Sequence, residues 1–310
     1  MTASNAPLRA SGPGGSIYDL GYQGYTGPRL GRTHAVRALF AHTLRSAYGI
    51  GRGGRAKIIP VGLAALPLLI ALIGVGVAAI AKQAGQVGAL LEEGSPVRYE
   101  VMAGIISTFV ILFCAAQGPE LLGRDQRYGV LPLYFSRALA RVDYALAKLG
   151  GMVAALLILI VLPYLVLFVG RVFVAETPVD GLATELPNVP PLLAQTAVTA
   201  ALLGSLSMAI AAHTPRRAYA TVGIIAALLI PAIVVAVLHE EAFGRVGDFL
   251  VLLSPNDVLD GLNAALFDTP AGSPVVADLD LPGYAYLAAA IVMTTLFVVV
   301  TVRRFLRISA

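Results

Sequence analysis

Six long apolar runs constrain this chain more than any other feature. An α-helix needs about 20 predominantly apolar residues to cross the hydrocarbon core of a bilayer. The composition suits such helices, because 57% of the residues are hydrophobic and only 13% are charged, whereas about 25% are charged in an ordinary soluble domain. The sequence therefore predicts an all-α integral membrane protein. The predicted spans are residues 59–81, 101–117, 149–170, 192–212, 218–238 and 284–302.

Basic residues are concentrated on one side of the predicted membrane. If the N-terminus is placed in the cytoplasm, 18 of the 22 lysine and arginine residues fall in cytoplasmic segments, and 14 of the 18 acidic residues fall outside. Short loops rich in lysine and arginine stay on the cytoplasmic side of a membrane. We therefore predict that both termini are cytoplasmic.

The first 32 residues of the sequence predict a cytoplasmic tail. It is rich in glycine, proline and serine, but it also carries several tyrosines between residues 17 and 29. The tail either lacks a core or contains a short motif that packs on a cytoplasmic partner. The first apolar run begins near Ile58, too far along the chain for a secretory signal peptide.

Residues 33–57 predict a basic amphipathic helix. Phe40 and Leu44 belong to its apolar stripe, and Arg37 and Arg45 lie off that stripe. A helix of this kind lies in the headgroup plane with its apolar face at the acyl boundary. Packing against other protein explains the same pattern equally well, and the sequence leaves both alternatives open.

Residues 118–148 form the longest polar segment on the basic side. Its charges are interleaved with apolar residues at helical spacing. An ordinary solvated loop does not need that much apolar surface. The spacing predicts two short helices separated by Gly129 and Pro132. The segment is either a structured cytoplasmic linker or a docking element for a partner protein.

The same segment contains a pattern of charged residues, glycine and leucine at fixed spacing. Its residues are Pro119-Glu120, Arg124-Asp125-x-Arg127-x-Gly129-x-Leu131-x-Leu133-Tyr134-x-Ser136-Arg137 and Tyr144-x-x-x-Lys148. This pattern resembles the loop between the second and third membrane helices of ABC transporter permeases of the ABC-2 type. In that family a glutamate opens the loop, an arginine-rich Gly-x-Leu turn follows, and a short coupling helix contacts the ATPase subunit. One departure is Ala138, where many relatives have proline.

The resemblance covers the tail, the amphipathic "elbow" helix, the six spans and the loops. It implies a permease subunit in a bacterial plasma membrane that works with a second permease subunit, identical or different, and with separate ATPase subunits that hold ATP and Mg²⁺. Most of this family exports hydrophobic compounds, lipids, drugs or polysaccharides. A non-transporting membrane scaffold or assembly factor is the alternative. The residues that the resemblance assigns to ATPase coupling are Glu120, Arg124, Asp125, Arg127, Gly129, Leu131 and Tyr134.

Residues 239–283 predict an acidic outer loop. Its apolar stretches at 249–253 and 258–267 are too short to span a bilayer. A re-entrant or interfacial pair of helices explains them, provided that protein shields the backbone at membrane depth, and the resemblance implies such short outer helices. A surface loop with a small local core is the alternative.

The sequence disfavours other transport mechanisms. No phosphate-binding loop is present, because the nearest candidate, residues 49–57, lacks the final hydroxyl residue and a preceding strand. The predicted spans carry no acidic or basic residue near their midpoints, which disfavours a proton- or ion-coupled carrier. We expect the remaining polar residues to bond between helices or to line a substrate path. They are Gln117, Tyr164, Gln195, Ser205 and Ser207.

The sequence predicts no catalytic or metal site. Residues 240–245 fit the Glu-Glu-x-x-x-Arg pattern of intramembrane CAAX-type proteases, but no histidine follows to complete such a site. His239 beside these acids favours a solvated loop over a metal site. The basic residues follow the membrane face, so we expect them to contact anionic lipid and no nucleic acid.

Overall fold

The apolar runs fold into long helices. A computed structural model of the chain describes residues 27, 30–84, 97–136, 139–240, 249–279 and 281–307. The chain separates into residues 1–30 and residues 31–310, and the described helices belong to the second unit. They are α1 (Gly31–Ala47), α2 (Arg55–Gln83), α3 (Tyr99–Gly118), α4 (Arg124–Arg127), α5 (Leu131–Phe135), α6 (Arg141–Val174), α7 (Pro178–Glu185), α8 (Val189–His213), α9 (Arg217–Glu240), α10 (Pro255–Phe267), α11 (Pro274–Ala277) and α12 (Gly283–Leu306).

Six helices in the described ranges are long and apolar enough to cross a membrane: α2, α3, α6, α8, α9 and α12. The described residues contain no strand. The chain is therefore a multi-pass, all-α membrane protein, as the sequence predicts. The helices run beyond the predicted spans, and α6 begins at Arg141 instead of residue 149. Almost all of the predicted tail lies outside the described residues.

The helix α8 is the most deeply buried of the six. In the most apolar window of each spanning segment, 67% of the residues are buried for α8, against 22% for α2 and 17% each for α9 and α12. The helices α3, α6 and α12 pack directly against α8. Many large apolar side chains of α2, α9 and α12 face outward, as expected where lipid replaces water around a bundle.

The bundle has two chemically different ends. At the basic end, α1, the loop 118–148, the α8–α9 junction and the end of α12 meet, and the Arg304 guanidinium donates a hydrogen bond to the Ala212 carbonyl at 3.3 Å. At the opposite, acidic end, the Lys82 ammonium donates to the Ala175 carbonyl. The ends of α12 and α8 therefore lie together at one end of the bundle and those of α2 and α6 at the other, as alternating spans require.

The helix predicted over residues 33–57 is interrupted. α1 ends at Ala47 and α2 begins at Arg55. Between them the chain turns at Gly49, whose φ of +69° lies in the left-handed region that only glycine adopts easily. A Cβ at Gly49 would lie 2.6 Å from the Ala56 carbonyl oxygen. The predicted segment therefore consists of two helices separated by a turn at Gly49.

The apolar stripe of α1 packs on α6. Leu39 is buried and Leu44 packs against the main core, whereas the Phe40 ring lies against α6 and remains 37% exposed. Arg37 and Arg45 lie on the exposed face. The helix thus has the predicted amphipathic pattern and a protein-facing side, while its placement in the headgroup plane stays a prediction.

Residues 249–279 form a small helical layer at the acidic end. Val251, Leu262 and Val276 are buried in an apolar cluster of their own, together with Tyr286 of α12. The Ser254 hydroxyl caps α10, which packs against α3, α8, α9 and α12. The layer therefore has a local core, and its re-entrant placement stays a prediction.

Candidate functional site: the polar cluster at the basic end

The loop after α3 begins as a helical continuation. α3 leads directly into a π-helical turn, Pro119–Gly123, and then into α4. Pro119 has no N–H group and cannot make the hydrogen bond that continues a regular α-helix, and π turns are frequent at functional sites. Leu121 and Leu122 are buried. They anchor the turn in the core and leave Glu120 at its edge.

The Glu120 carboxylate lies among three arginines from three parts of the chain. Its Oε1 lies 2.9 Å from Nη1 of Arg52, in the turn after α1, and 3.6 Å from Nη1 of Arg124 in α4. Its Oε2 lies 3.9 Å from Nη1 of Arg217, the first residue of α9. The Glu120 side chain is 19% exposed. One carboxylate therefore joins the α1–α2 turn, the loop and α9.

Asp125 forms a second, more deeply buried ion pair. Its Oδ2 lies 2.7 Å from Nζ of Lys148, a residue of α6 that is only 3% exposed. The same ammonium donates to the Leu121 carbonyl at 2.9 Å. A buried ammonium is stable only when it is paired and hydrogen-bonded. The pair therefore ties α4 and the π turn to the base of α6.

Aromatic packing holds α5 against the same point. The Tyr144 hydroxyl donates to Oδ2 of Asp125 at 2.7 Å, and the Tyr144 ring is fully buried. The rings of Tyr134 and Phe135 in α5 and of Phe305 in α12 surround it, with centroid distances of 5.3, 5.8 and 5.1 Å. The loop is therefore a packed structure whose underside belongs to the main core.

The outer edge of the loop presents a basic and apolar surface. The Tyr128 side chain is 67% exposed and the Leu133 side chain is 68% exposed. The guanidiniums of Arg124 and Arg127 lie 6.0 and 5.9 Å from the centroid of the Tyr128 ring. Aromatic residues and arginine are enriched in protein interfaces, so this edge has the composition of a docking surface.

A cavity of about 590 Å³ lies between α1 and the loop. His42 and Arg45 line it from α1, and Arg52, Glu120 and Lys148 line it from the other side. Burial and the neighbouring cations Lys148, Arg52 and Arg124 hold the pKa of His42 below its ordinary value, and Asp125 acts in the opposite sense. The α1 side of the cluster therefore has room for side chains to move.

The predicted coupling residues do not all lie together. Glu120, Arg124 and Asp125 meet in the cluster, whereas Arg127 lies on the exposed edge. Gly129 turns the chain with a φ of +63°. Leu131 is buried beneath the loop and Tyr134 is half-buried against Tyr144. Of the four elbow residues, Arg45 lines the adjoining cavity.

Sequence reasoning missed four members of the cluster. Arg52, Tyr144, Lys148 and Arg217 are not among the predicted coupling residues. Tyr144 and Lys148 belong to the resembling motif and lie four residues apart, which places both on one helix face. That spacing is the signal that could have found them.

The hydroxyls of two buried serines bond within their own helix, and Ser207 also interacts with the Cys114 thiol of α3, as the expectation of bonds between helices requires. Ser205 donates to the Leu202 carbonyl at 3.0 Å and Ser207 to the Gly204 carbonyl at 2.9 Å, both within α8. A serine hydroxyl in a helix often bonds back to the preceding turn. Gln195 instead donates to the Leu259 carbonyl of α10 at 3.4 Å.

The described residues contain no group of three or more His, Cys, Asp or Glu side chains that could hold a metal ion. The protease-like motif at 240–245 lies outside the described residues, apart from the backbone of Glu240. No protein-family model matches the chain, and no curated protein sequence matches it. The interpretation of the cluster therefore rests on its residues and geometry.

Proposed function

We propose that this chain is the membrane-spanning subunit of an ATP-driven transporter of the ABC-2 type. In this proposal it is a bacterial plasma-membrane exporter of a hydrophobic or amphiphilic compound, with both termini in the cytoplasm. A second permease subunit, the same or different, completes the pathway. Separate ATPase subunits hold ATP and Mg²⁺, and this chain has no catalytic role.

The observation that carries the proposal is the set of contacts around Glu120. The carboxylate links the α1–α2 turn through Arg52, the loop through Arg124 and α9 through Arg217. A push on the exposed edge at Tyr128 would reach Glu120 through Arg124, whose guanidinium lies 6.0 Å from the Tyr128 ring, and from Glu120 it would reach the α1–α2 turn and α9. This is the property that a motor-driven permease requires of its docking loop.

The charge distribution supports the orientation. The basic end carries the cluster, the exposed arginines and the predicted cytoplasmic segments, and lysine- and arginine-rich short segments remain in the cytoplasm. Anionic lipid headgroups are the natural partners of arginines that lie near that face without joining the cluster. The resemblance is the reason for proposing an ABC ATPase as the partner. The contacts around Glu120 are the reason for proposing that the ATPase acts on this loop.

The test is affinity purification of the full chain from its native membrane in a mild detergent, followed by identification of the co-purifying proteins. The proposal predicts recovery of a subunit with a phosphate-binding loop, and ATP hydrolysis in the purified complex. Recovery of other membrane proteins without any ATPase would contradict it and favour the scaffold alternative.

A further inference from the structure

A second cavity, of about 250 Å³, lies among α3, α6, α8 and α10. It is separate from the cluster at the basic end, and it lies in the half of the bundle nearer the acidic end. Its walls are mixed, with Ile106, Ile160 and Leu259 beside Tyr164 and Thr199. Gly104 and Thr108, one turn apart on α3, line it and are exposed, so that the cavity opens through the surface of the bundle.

Three side-chain amides that line the cavity have unused acceptors. The nitrogens of Gln195, Asn256 and Asn263 donate to main-chain carbonyls at 3.4, 2.8 and 3.5 Å. Their carbonyl oxygens are buried and accept no hydrogen bond from the described residues. Gln195 is 5% exposed and Asn263 is 9% exposed. A buried acceptor left without a donor is destabilising, and within a membrane no surrounding solvent supplies one.

The charges near the cavity define what it can accept. No lysine, arginine or histidine lines it among the described residues, so an anionic group would find no partner there. Asp260 is the one lining acid, and its two oxygens accept the backbone N–H groups of Gly272 and Ser273 at 3.1 and 2.7 Å. Both oxygens of that carboxylate are engaged by the backbone, and the remaining polar lining consists of amides and hydroxyls.

We infer that this cavity binds the neutral, hydroxyl-bearing headgroup of an amphiphile. Hydroxyl groups supply the donors that the three amide oxygens lack, and the isoleucine and leucine walls suit the apolar faces of a sugar- or glycerol-sized group. The opening at Gly104 and Thr108 leaves an attached chain outside the pocket, in contact with lipid. The inference deepens the proposed function, because such an amphiphile would be the transported substrate.

The test uses three probes with the same eight-carbon chain: octyl glucoside, octylamine and octyl sulfate. Each is radiolabelled, kept below its critical micelle concentration and added to the full chain in lipid nanodiscs, and bound probe is measured by equilibrium dialysis. We expect saturable binding of octyl glucoside only. Saturable binding of the amine or the sulfate in its place would overturn the headgroup assignment.

Gln195→Leu and Asn263→Leu separate a ligand site from a structural contact. Each removes an unused acceptor together with one long hydrogen bond, so we expect octyl glucoside binding about tenfold weaker with an unchanged or raised melting temperature. Gln117→Leu is the matched control, since Gln117 is equally buried but does not line the cavity. A melting temperature lowered with binding intact would assign the amides a purely structural role.

Equal binding by all variants would mean that the probe binds without the amides, and no binding by the wild type would mean that the cavity takes no such headgroup. Either result would overturn the inference. ATP hydrolysis by the co-purified complex is measured on the same preparations. Failure of headgroup binding with intact ATPase recovery overturns this inference alone. Failure to recover any ATPase overturns the proposed function and leaves the binding result standing.

Discussion

The two ends of the bundle hold their carboxylates in different ways. At the acidic end, Glu185 is 4% exposed, and it accepts hydrogen bonds from Arg171 and Tyr99 at 2.7 Å each and from Asn188 at 3.2 Å. At the basic end, Glu120 is 19% exposed, and its three arginines lie at 2.9, 3.6 and 3.9 Å beside a cavity of about 590 Å³.

The difference separates a fixed contact from an adjustable one. Glu185 is saturated by short bonds, and the Arg171 guanidinium also covers the Tyr99 ring at 4.9 Å. Any movement there would break several bonds in a buried setting. Glu120 shares its charge among cations at unequal distances, so a shift of α1 or α9 exchanges one partner for another. We therefore expect substitutions at Glu185 to affect stability, and substitutions at Glu120 to affect coupling.

The largest effect is expected for Glu185→Leu. The substitution leaves Arg171 and Tyr99 without their buried acceptor, and breaking a buried charged pair costs about 3–5 kcal/mol. Thermal unfolding in nanodiscs should show a clearly lowered midpoint. Glu176→Leu is the control, since Glu176 is exposed at the same end. Equal unfolding midpoints for the two variants would contradict the claim that Glu185 forms a fixed contact at the acidic end.

Lys148→Met probes the rigid part of the basic end. The change leaves Asp125 with Tyr144 as its remaining donor and should cost about 3 kcal/mol of unfolding free energy. Adding Asp125→Asn should recover part of that loss, because the uncompensated charge disappears. The exposed Lys57→Met serves as control. If Asp125→Asn lowered the unfolding free energy of the Lys148→Met variant as much as it lowers that of the wild type, the two residues would not act as a pair.

Long apolar runs made the fold predictable, whereas the cluster depends on distant residues. Six spans follow from hydrophobic length alone, because each helix must satisfy its own backbone in lipid. The end of α1 depends on the turn at Gly49, which lies close to the Ala56 carbonyl, and hydrophobic periodicity does not mark that turn. The ion pair of Asp125 with Lys148 joins two helices across a loop. The spacing of Tyr144 and Lys148 places both on one helix face, but it does not identify Asp125 as their partner.

Three of the residues that the resemblance assigns to coupling lie together in the structure. The resemblance pointed to Glu120, Arg124 and Asp125, which the structure brings together with Arg52 and Arg217 from other segments. Those two arginines come from the α1–α2 turn and the start of α9, so only the packed bundle makes them neighbours. The polar cavity likewise combines amides from α8 and α10, which are far apart in sequence.

A smaller effect is expected for the contact between Arg52 and Glu120. A double-mutant cycle with Arg52→Ala and Glu120→Ala should give a coupling free energy of about 1 kcal/mol or less, as is typical of partly exposed ion pairs. Unfolding of the four proteins in nanodiscs measures it. A coupling of several kcal/mol would place this contact in the same fixed class as Glu185.

The smallest effect concerns pH. Burial and the charges of Lys148, Arg52 and Arg124, against the opposing charge of Asp125, lower the pKa of His42 in the folded protein. The unfolded chain therefore binds more protons, and stability falls as the pH drops through the ordinary histidine pKa of about 6.5. The His42→Gln variant should lose less stability between pH 7.5 and pH 5.5. Equal losses of stability by the wild type and the variant would show that other groups determine the pH dependence between pH 7.5 and pH 5.5.

The most direct test of the account measures ATP hydrolysis by the purified complex in nanodiscs, with wild type, Glu120→Gln and Glu176→Gln compared. If Glu120 couples the loop to the spans, Glu120→Gln should retain the ATPase subunit and its unfolding midpoint within a few degrees. The Glu120→Gln permease should no longer change the rate of ATP hydrolysis by the ATPase subunit. The Glu176→Gln permease should change that rate as much as the wild type does. A Glu120→Gln complex with the full wild-type response would contradict the coupling role.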